Sequence, residues 1–141
     1  MLIREILTLK SDTIYSIEPT DSVESAVAKL VSLGVGSLVV LKNGEMVGLL
    51  TERDVMQGMV KQGCDMKDAQ VSTIMVTEPV VADADDSVDY ARDVMTKSHI
   101  SHLPILDGLR GIAVLAVLWA HLSPAMPGYP EWLLKARFLH D

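Results

Sequence analysis

Aromatic residues are scarce in this chain, with one Phe, two Trp and three Tyr among 141 residues, so any core must be built from aliphatic side chains and the eight Met. Basic residues are also few. The 12 Lys and Arg stand against 19 Asp and Glu, a net charge of −7 that repels phosphate backbones and excludes nucleic acid as a main partner. Any phosphate-bearing ligand therefore needs a local site. The one cysteine, Cys64, cannot form an internal disulfide, so nothing points to an oxidising compartment and the cytoplasm is the expected location. Long apolar runs are missing too. The longest, residues 112–120, counts nine residues, whereas a membrane-spanning helix needs about 20. Residues 1–10 carry Arg4 and Glu5 inside their apolar positions and lack the form of an export signal. What remains is 49% hydrophobic and 22% charged, enough for one domain or two small repeated units with roughly two-thirds of their surface buried, and too apolar for disorder.

The chain repeats itself. Asp21-Ser22-Val23 recurs as Asp86-Ser87-Val88, Ala26 as Ala91, Leu30 as Met95, and the apolar stretch 38–41 as 103–106, all at an offset of 65. In the first copy, residues 14–17 read as a short strand ending at Pro19. Asp21 offers an N-cap with Glu24 as its capping-box partner, and Val23, Ala26, Val27 and Leu30 form the stripe of a helix that Gly34 closes. Residues 38–41 and 46–50 flank Asn43-Gly44, a dipeptide suited to a tight hairpin. Thr51 then caps a second helix, whose buried stripe is expected to be Val55, Met56, Met59 and Val60 and which stops at Gly63.

The second copy follows a connecting stretch, 65–77, whose Val71 and Ile74-Met75 echo Ile3 and Ile6-Leu7 ahead of the first. A strand is expected at 80–82, a helix at 87–97 and a strand at 103–106; beyond Gly108, charge almost disappears until Glu131. The fold class is therefore α/β, a pair of β-α-β-β-α units of which the second is atypical or incomplete at its C-terminal end. The expected division is 1–70 for the first unit with its N-terminal helix, 71–122 for the second, and 123–141 for an apolar tail containing proline.

The paired units, with Gly48-Leu49-Leu50-Thr51-Glu52-Arg53-Asp54 in the first and Ser101-His102-Leu103-Pro104-Ile105 in the second, resemble tandem cystathionine-β-synthase (CBS) domains over about residues 1–108. The resemblance implies a non-enzymatic regulatory module that forms homodimers and binds an adenosine-containing ligand (AMP, ADP, ATP, NAD or S-adenosylmethionine) between its two motifs, with no required cofactor. It points to Thr51, Arg53 and Asp54, to Val76, Thr77 and Glu78 of the segment entering the second copy, and to His102 and Pro104 as lining residues.

The Thr51/Asp54 spacing has its own chemistry. Thr51 stands where a strand gives way to a helix, and the free N–H groups of the first turn favour an anion such as phosphate. Asp54, one turn on, can accept both hydroxyls of a ribose in charge-assisted bonds of about 1.5–3 kcal/mol each. The same pair also reads as a capping box with an acidic N3 residue, of purely structural value. His99 and His102, read as strand residues three apart, fall on opposite faces and make a poor metal pair. Asp83, Asp85, Asp86 and Asp89 lack the ligand spacing of a calcium loop and suit a solvated helix start. Cys64 has only Lys61 nearby to activate it and is expected to be inert.

Residues 111–117, aligned 63 positions after Gly48, put Val114 at the place of Thr51 and Val117 at that of Asp54, so the second half-site lacks polar contacts and one ligand per pair is expected. A second resemblance overlaps here. Leu106-Asp107-Gly108-Leu109-Arg110-Gly111-Ile112-Ala113, followed by His121, resembles the start of the integral-membrane acyltransferase family, in which the residues matching Arg110 and His121 are functional. The remaining chain has no room for the further membrane helices such an enzyme needs. The alternatives are thus a membrane O-acyltransferase fragment fused to a CBS-like region, or a ligand-free dimerisation module. Residues 112–122 also suit a core segment of the second unit, and the apolar tail is expected to pack on the pair, on a dimer mate or against a membrane surface.

Overall fold

The computed structural model describes residues 1–7, 14–63 and 65–107, and the backbone of 111–115. Cys64, Arg110, His121 and the rest of the tail lie outside the described residues, as do the expectations attached to them. The element order is α1 (Ile3–Leu7), β1 (Ser16–Ile17), α2 (Val23–Leu33), β2 (Ser37–Lys42), β3 (Glu45–Thr51), α3 (Glu52–Gln62), a 3₁₀ turn (Val71–Thr73), β4 (Ala82–Asp83), α4 (Val88–Ser98), β5 (Leu103–Asp107) and β6 (Gly111–Leu115). It forms two three-stranded sheets, β1-β2-β3 and β4-β5-β6, each with one parallel and one antiparallel pairing.

The repeat is visible down to single hydrogen bonds. Ser22 Oγ accepts the Ser25 N–H and Ser87 Oγ accepts the Tyr90 N–H, both at 3.0 Å, from nearly identical extended backbones. The N-cap of α2 is therefore Ser22 rather than Asp21. Asp21 is already engaged, its carboxylate accepting the Glu18 N–H at 3.0 Å, as Asp86 accepts the Asp83 N–H at 2.8 Å. Ser22→Ala and Ser87→Ala should each cost about 1 kcal/mol in urea denaturation, and their losses should add, because the two caps serve separate cores. Asn43 and Gly44 both take the positive φ, 54° and 79°, that the hairpin requires.

Each core borrows a segment from ahead of the other copy. Ile3 and Leu7 of α1 are buried with Ala82, Val88, Ala91, Met95, Leu103 and Ile105 of the second copy, while Val71 is buried with Ile17, Ala26, Leu30, Leu38, Val40 and Leu50 of the first. The backbone repeats the exchange, since Ile3 N–H donates to Asp86 O at 3.0 Å and Val71 N–H to Asp21 O at 2.8 Å. Packing thus divides the chain differently from a cut at residue 70. Arg4 ties α1 down further. Its guanidinium reaches Asp85 at 3.0 Å and the buried Asp107 at 3.3 Å, and it is held above its ordinary pKa first by the hydrogen bond to Asp85 and then, against some desolvation, by the charge of Asp107.

Two expectations need correcting. In α3 only Gly58 is buried; Val55 is half-buried against the first core, whereas Met56, Met59 and Val60 are exposed, because the core-facing side of the helix is committed by the close approach of Ile74 and Met66 to Gly58. The second hairpin is also aligned differently. Leu103 pairs with Leu115 as Leu38 pairs with Leu50, so the offset of 65 holds through β6. The first hairpin has a bulge at Val47, whereas the second pairs without a register shift from Asp107 and Gly111 to Leu103 and Leu115. By this register Val114 stands at the position of Leu49 and not at that of Thr51, while Val117 lies outside the described residues.

Candidate functional site

The turn from β3 into α3 is a complete capping box. Thr51 N–H and Thr51 Oγ1 both donate to Asp54 Oδ2 at 2.9 Å, and Asp54 N–H donates back to Thr51 Oγ1 at 3.3 Å. The extended backbone of Thr51 (φ −119°, ψ 163°) ends the strand and begins the helix within one residue. The Thr51 hydroxyl proton is consequently spent on Asp54 and is not available to a phosphate. Asp54 Oδ1 has no partner among the described residues.

Asp54 is half-buried and faces a cleft of about 280 Å³ whose walls come from both copies. One wall is Leu49, Thr51, Glu52, Arg53, Asp54 and Met56 of β3 and α3. A second is Val76, Glu78, Pro79 and Val80 of the segment entering the second copy. The third is His99, Ile100, Ser101 and His102 between α4 and β5. The walls are joined across the copies. Leu49 and Val76 exchange backbone hydrogen bonds at 3.0 and 2.9 Å, and Arg53 Nη1 donates to His99 O at 3.4 Å. Gly36 lies so close to His102 that a Cβ there would be 2.9 Å from Nε2.

Of the residues singled out from the sequence, Thr51, Arg53, Asp54, Val76, Glu78 and His102 line this cleft together. Thr77 is exposed and does not line it. Pro104 does not line it either, being buried within β5 opposite Val114. Glu52 and His99 were missed. His99 is no strand residue: it ends α4 in the left-handed region (φ 53°), where Gly34 ends α2 (φ 64°), so both histidines reach the same cleft instead of opposite faces of one strand. The offset of 65, which maps Gly34 onto His99, carried that signal. Among the described residues no cluster of His, Cys, Asp or Glu could hold a metal ion, and no helix is long and apolar enough to cross a membrane.

Comparison with known proteins agrees with this architecture. The family model described as "CBS domain" matches residues 3–61 and 71–115. The matched stretch includes β6, which the resemblance to an acyltransferase also claims. A "CBS domain-containing protein CBSX3, mitochondrial" of Arabidopsis thaliana is 31% identical over 102 residues, 69% of this chain and 50% of that protein. This chain thus spans about half that relative's length. The CBS domain-containing protein YhcV of Bacillus subtilis is 28% identical over 104 residues, 74% of each chain. Among solved structures, the CBS-domain containing protein ATU1752 from Agrobacterium tumefaciens superposes with a TM-score of 0.78 over 97% of this chain and 99% of its own, at 22% identity. The CBS domain pair of protein MJ0100, solved in complex with 5′-methylthioadenosine and S-adenosyl-L-methionine, superposes with a TM-score of 0.67 over 80% of this chain and 92% of its own, at 23% identity.

Proposed function

Because the chain belongs to the CBS-domain family and carries two such domains in tandem, we propose that it is a non-enzymatic regulatory module that binds one adenosine-containing ligand in the cleft between its copies. The observation that carries this reading is Asp54. One oxygen of its carboxylate is left over from the capping box beside a cleft of about 280 Å³, a volume on the scale of a nucleoside. Oδ1 and the remaining lone pair of Thr51 Oγ1 are acceptors, which suits the vicinal hydroxyls of a ribose. The ligand-bound MJ0100 pair supports the ligand class by likeness of fold. The cleft has walls from both copies, so a ligand that touches all of them stabilises one arrangement of the copies by its differential affinity, which is how binding becomes a signal.

A panel of AMP, ADP, ATP, NAD and S-adenosylmethionine in thermal shift and calorimetry tests the reading, since a ligand at 100 times its Kd raises stability by about 2.7 kcal/mol. Asp54→Asn should weaken the best ligand by about 10- to 100-fold while keeping an acceptor for the Thr51 N–H. An unchanged Kd in that variant sinks the assignment. A panel without any response would leave a dimerisation module as the better description.

We also propose that the module pairs with a second copy through α2 and α3. Val31, Met56 and Val60 are 76%, 60% and 86% exposed, and with Val27 and Met59 they form an apolar helical face of the kind that an isologous contact covers. Met56→Glu with Val60→Glu should turn a dimer into a monomer in sedimentation velocity. A wild-type chain that sediments as a monomer at tens of micromolar overturns this proposal.

A further inference from the structure

We infer that the cleft selects adenosine derivatives whose 5′ substituent carries no net negative charge and discriminates against nucleoside polyphosphates. The inference rests on the reading of the cleft as an adenosine site and adds the class of ligand it takes. Charge is the first ground. Among the described lining residues, Glu52, Asp54 and Glu78 oppose Arg53 alone, inside a chain of net charge −7. An ATP tail of several negative charges is repelled there, whereas an uncharged thioether or a cationic sulfonium is tolerated or attracted.

The second ground is the supply of hydrogen-bond donors. A phosphate at a helix N-terminus depends on free first-turn N–H groups. At α3 these are largely taken: Glu52 N–H donates to Gly36 O at 3.0 Å and Asp54 N–H to Thr51 Oγ1 at 3.3 Å, which leaves the Arg53 N–H without a partner among the described residues. The Thr51 hydroxyl proton is committed to Asp54 Oδ2, and Arg53 Nη1 is turned to the His99 carbonyl. The Asp54 carboxylate itself occupies the end of the helix dipole where an anion would sit. The turn into α3 is therefore rich in acceptors and poor in donors, which leaves the side chains of Arg53, Ser101 and the two histidines as the donors of the lining and matches hydroxyl, amine and sulfonium groups at this end of the cleft better than phosphate oxygens.

Calorimetry at pH 8 and low salt, with EDTA present, would compare adenosine, 5′-methylthioadenosine, S-adenosylmethionine, AMP and ATP on the full chain. The three compounds without phosphate should bind at least about tenfold more tightly than ATP, with AMP between. Raising the salt to about 0.5 M should narrow that gap by screening. In the Glu52→Gln/Glu78→Gln double variant the affinity of ATP relative to adenosine should rise at least about threefold. ATP binding as tightly as adenosine, or a gap indifferent to both salt and the double substitution, overturns the selectivity while leaving the cleft an adenosine site. Binding of none of the five overturns the site and the selectivity together.

Discussion

Gly48→Ala is expected to cost roughly 2–4 kcal/mol of stability, although it adds a single carbon in the middle of a strand. A Cβ at this position would stand 2.7 Å from the Val76 carbonyl oxygen and 2.8 Å from Met75 Sδ. The first of these is backbone, and it is the acceptor of the Leu49 N–H in the pair of hydrogen bonds that fastens the second copy's entry segment to β3. Making room means lifting that segment, which breaks both bonds and withdraws Met75 from the first core, against which it packs. Gly36 provides the control. A Cβ there meets His102 Nε2 at 2.9 Å, the far end of a side chain that can rotate away, so Gly36→Ala should cost less than about 1 kcal/mol. Urea denaturation of the two variants side by side decides the matter, and equal losses would refute the backbone contact as the cause. The demand is local to this junction, for the register of the second hairpin puts Ala113 where the first has Gly48.

What could be read from the sequence was the chemistry that acts over a few residues. The Asn43-Gly44 turn, the glycine ending α2 and the order of strands and helices all follow from neighbours along the chain. The one-residue error at Asp21 arose where two adjacent side chains could both cap, and the turn at Glu18 took one of them. The stripe on α3 showed which side chains share a face and not what covers that face, so its exposure had to come from the fold. The site divides in the same way. Thr51 and Asp54 were legible as a motif; its capping reading is seen directly, and one carboxylate oxygen is left over beside the cleft for the ligand proposed there. Glu52 stands inside the same motif, yet nothing local says that a residue between two candidate ligand contacts faces the same space. The second copy supplies His99 and Ser101 to this cleft only because the copies meet there.

The exchange of segments between the cores leads to an expectation that chain order alone would contradict. Ile3→Ala should destabilise the second copy, more than 75 residues away in the chain, by roughly 2–5 kcal/mol, the usual cost of removing a large aliphatic side chain from a closed core. Ile3 is fully buried beside Leu103, Ile105 and Met95, and a helix of five residues has little stability of its own, so loss of that contact should release α1 as a unit. With α1 gone, Ala84 O loses the Arg4 N–H and Asp86 O loses the Ile3 N–H. Hydrogen exchange followed by mass spectrometry should then show faster exchange in β4, α4 and β5 and little change in β1 to β3. Val71→Ala should give the mirror image, a smaller loss of about 1–3 kcal/mol with faster exchange in β1, α2 and β2, since Val71 is the fully buried counterpart of Ile3 in the first core. If Ile3→Ala instead loosens the first copy, or both copies equally, the cores do not carry their borrowed segments as separate units. In that case the two copies must unfold as one cooperative body, and ligand binding in the cleft would stabilise every strand alike instead of acting through the seam between them.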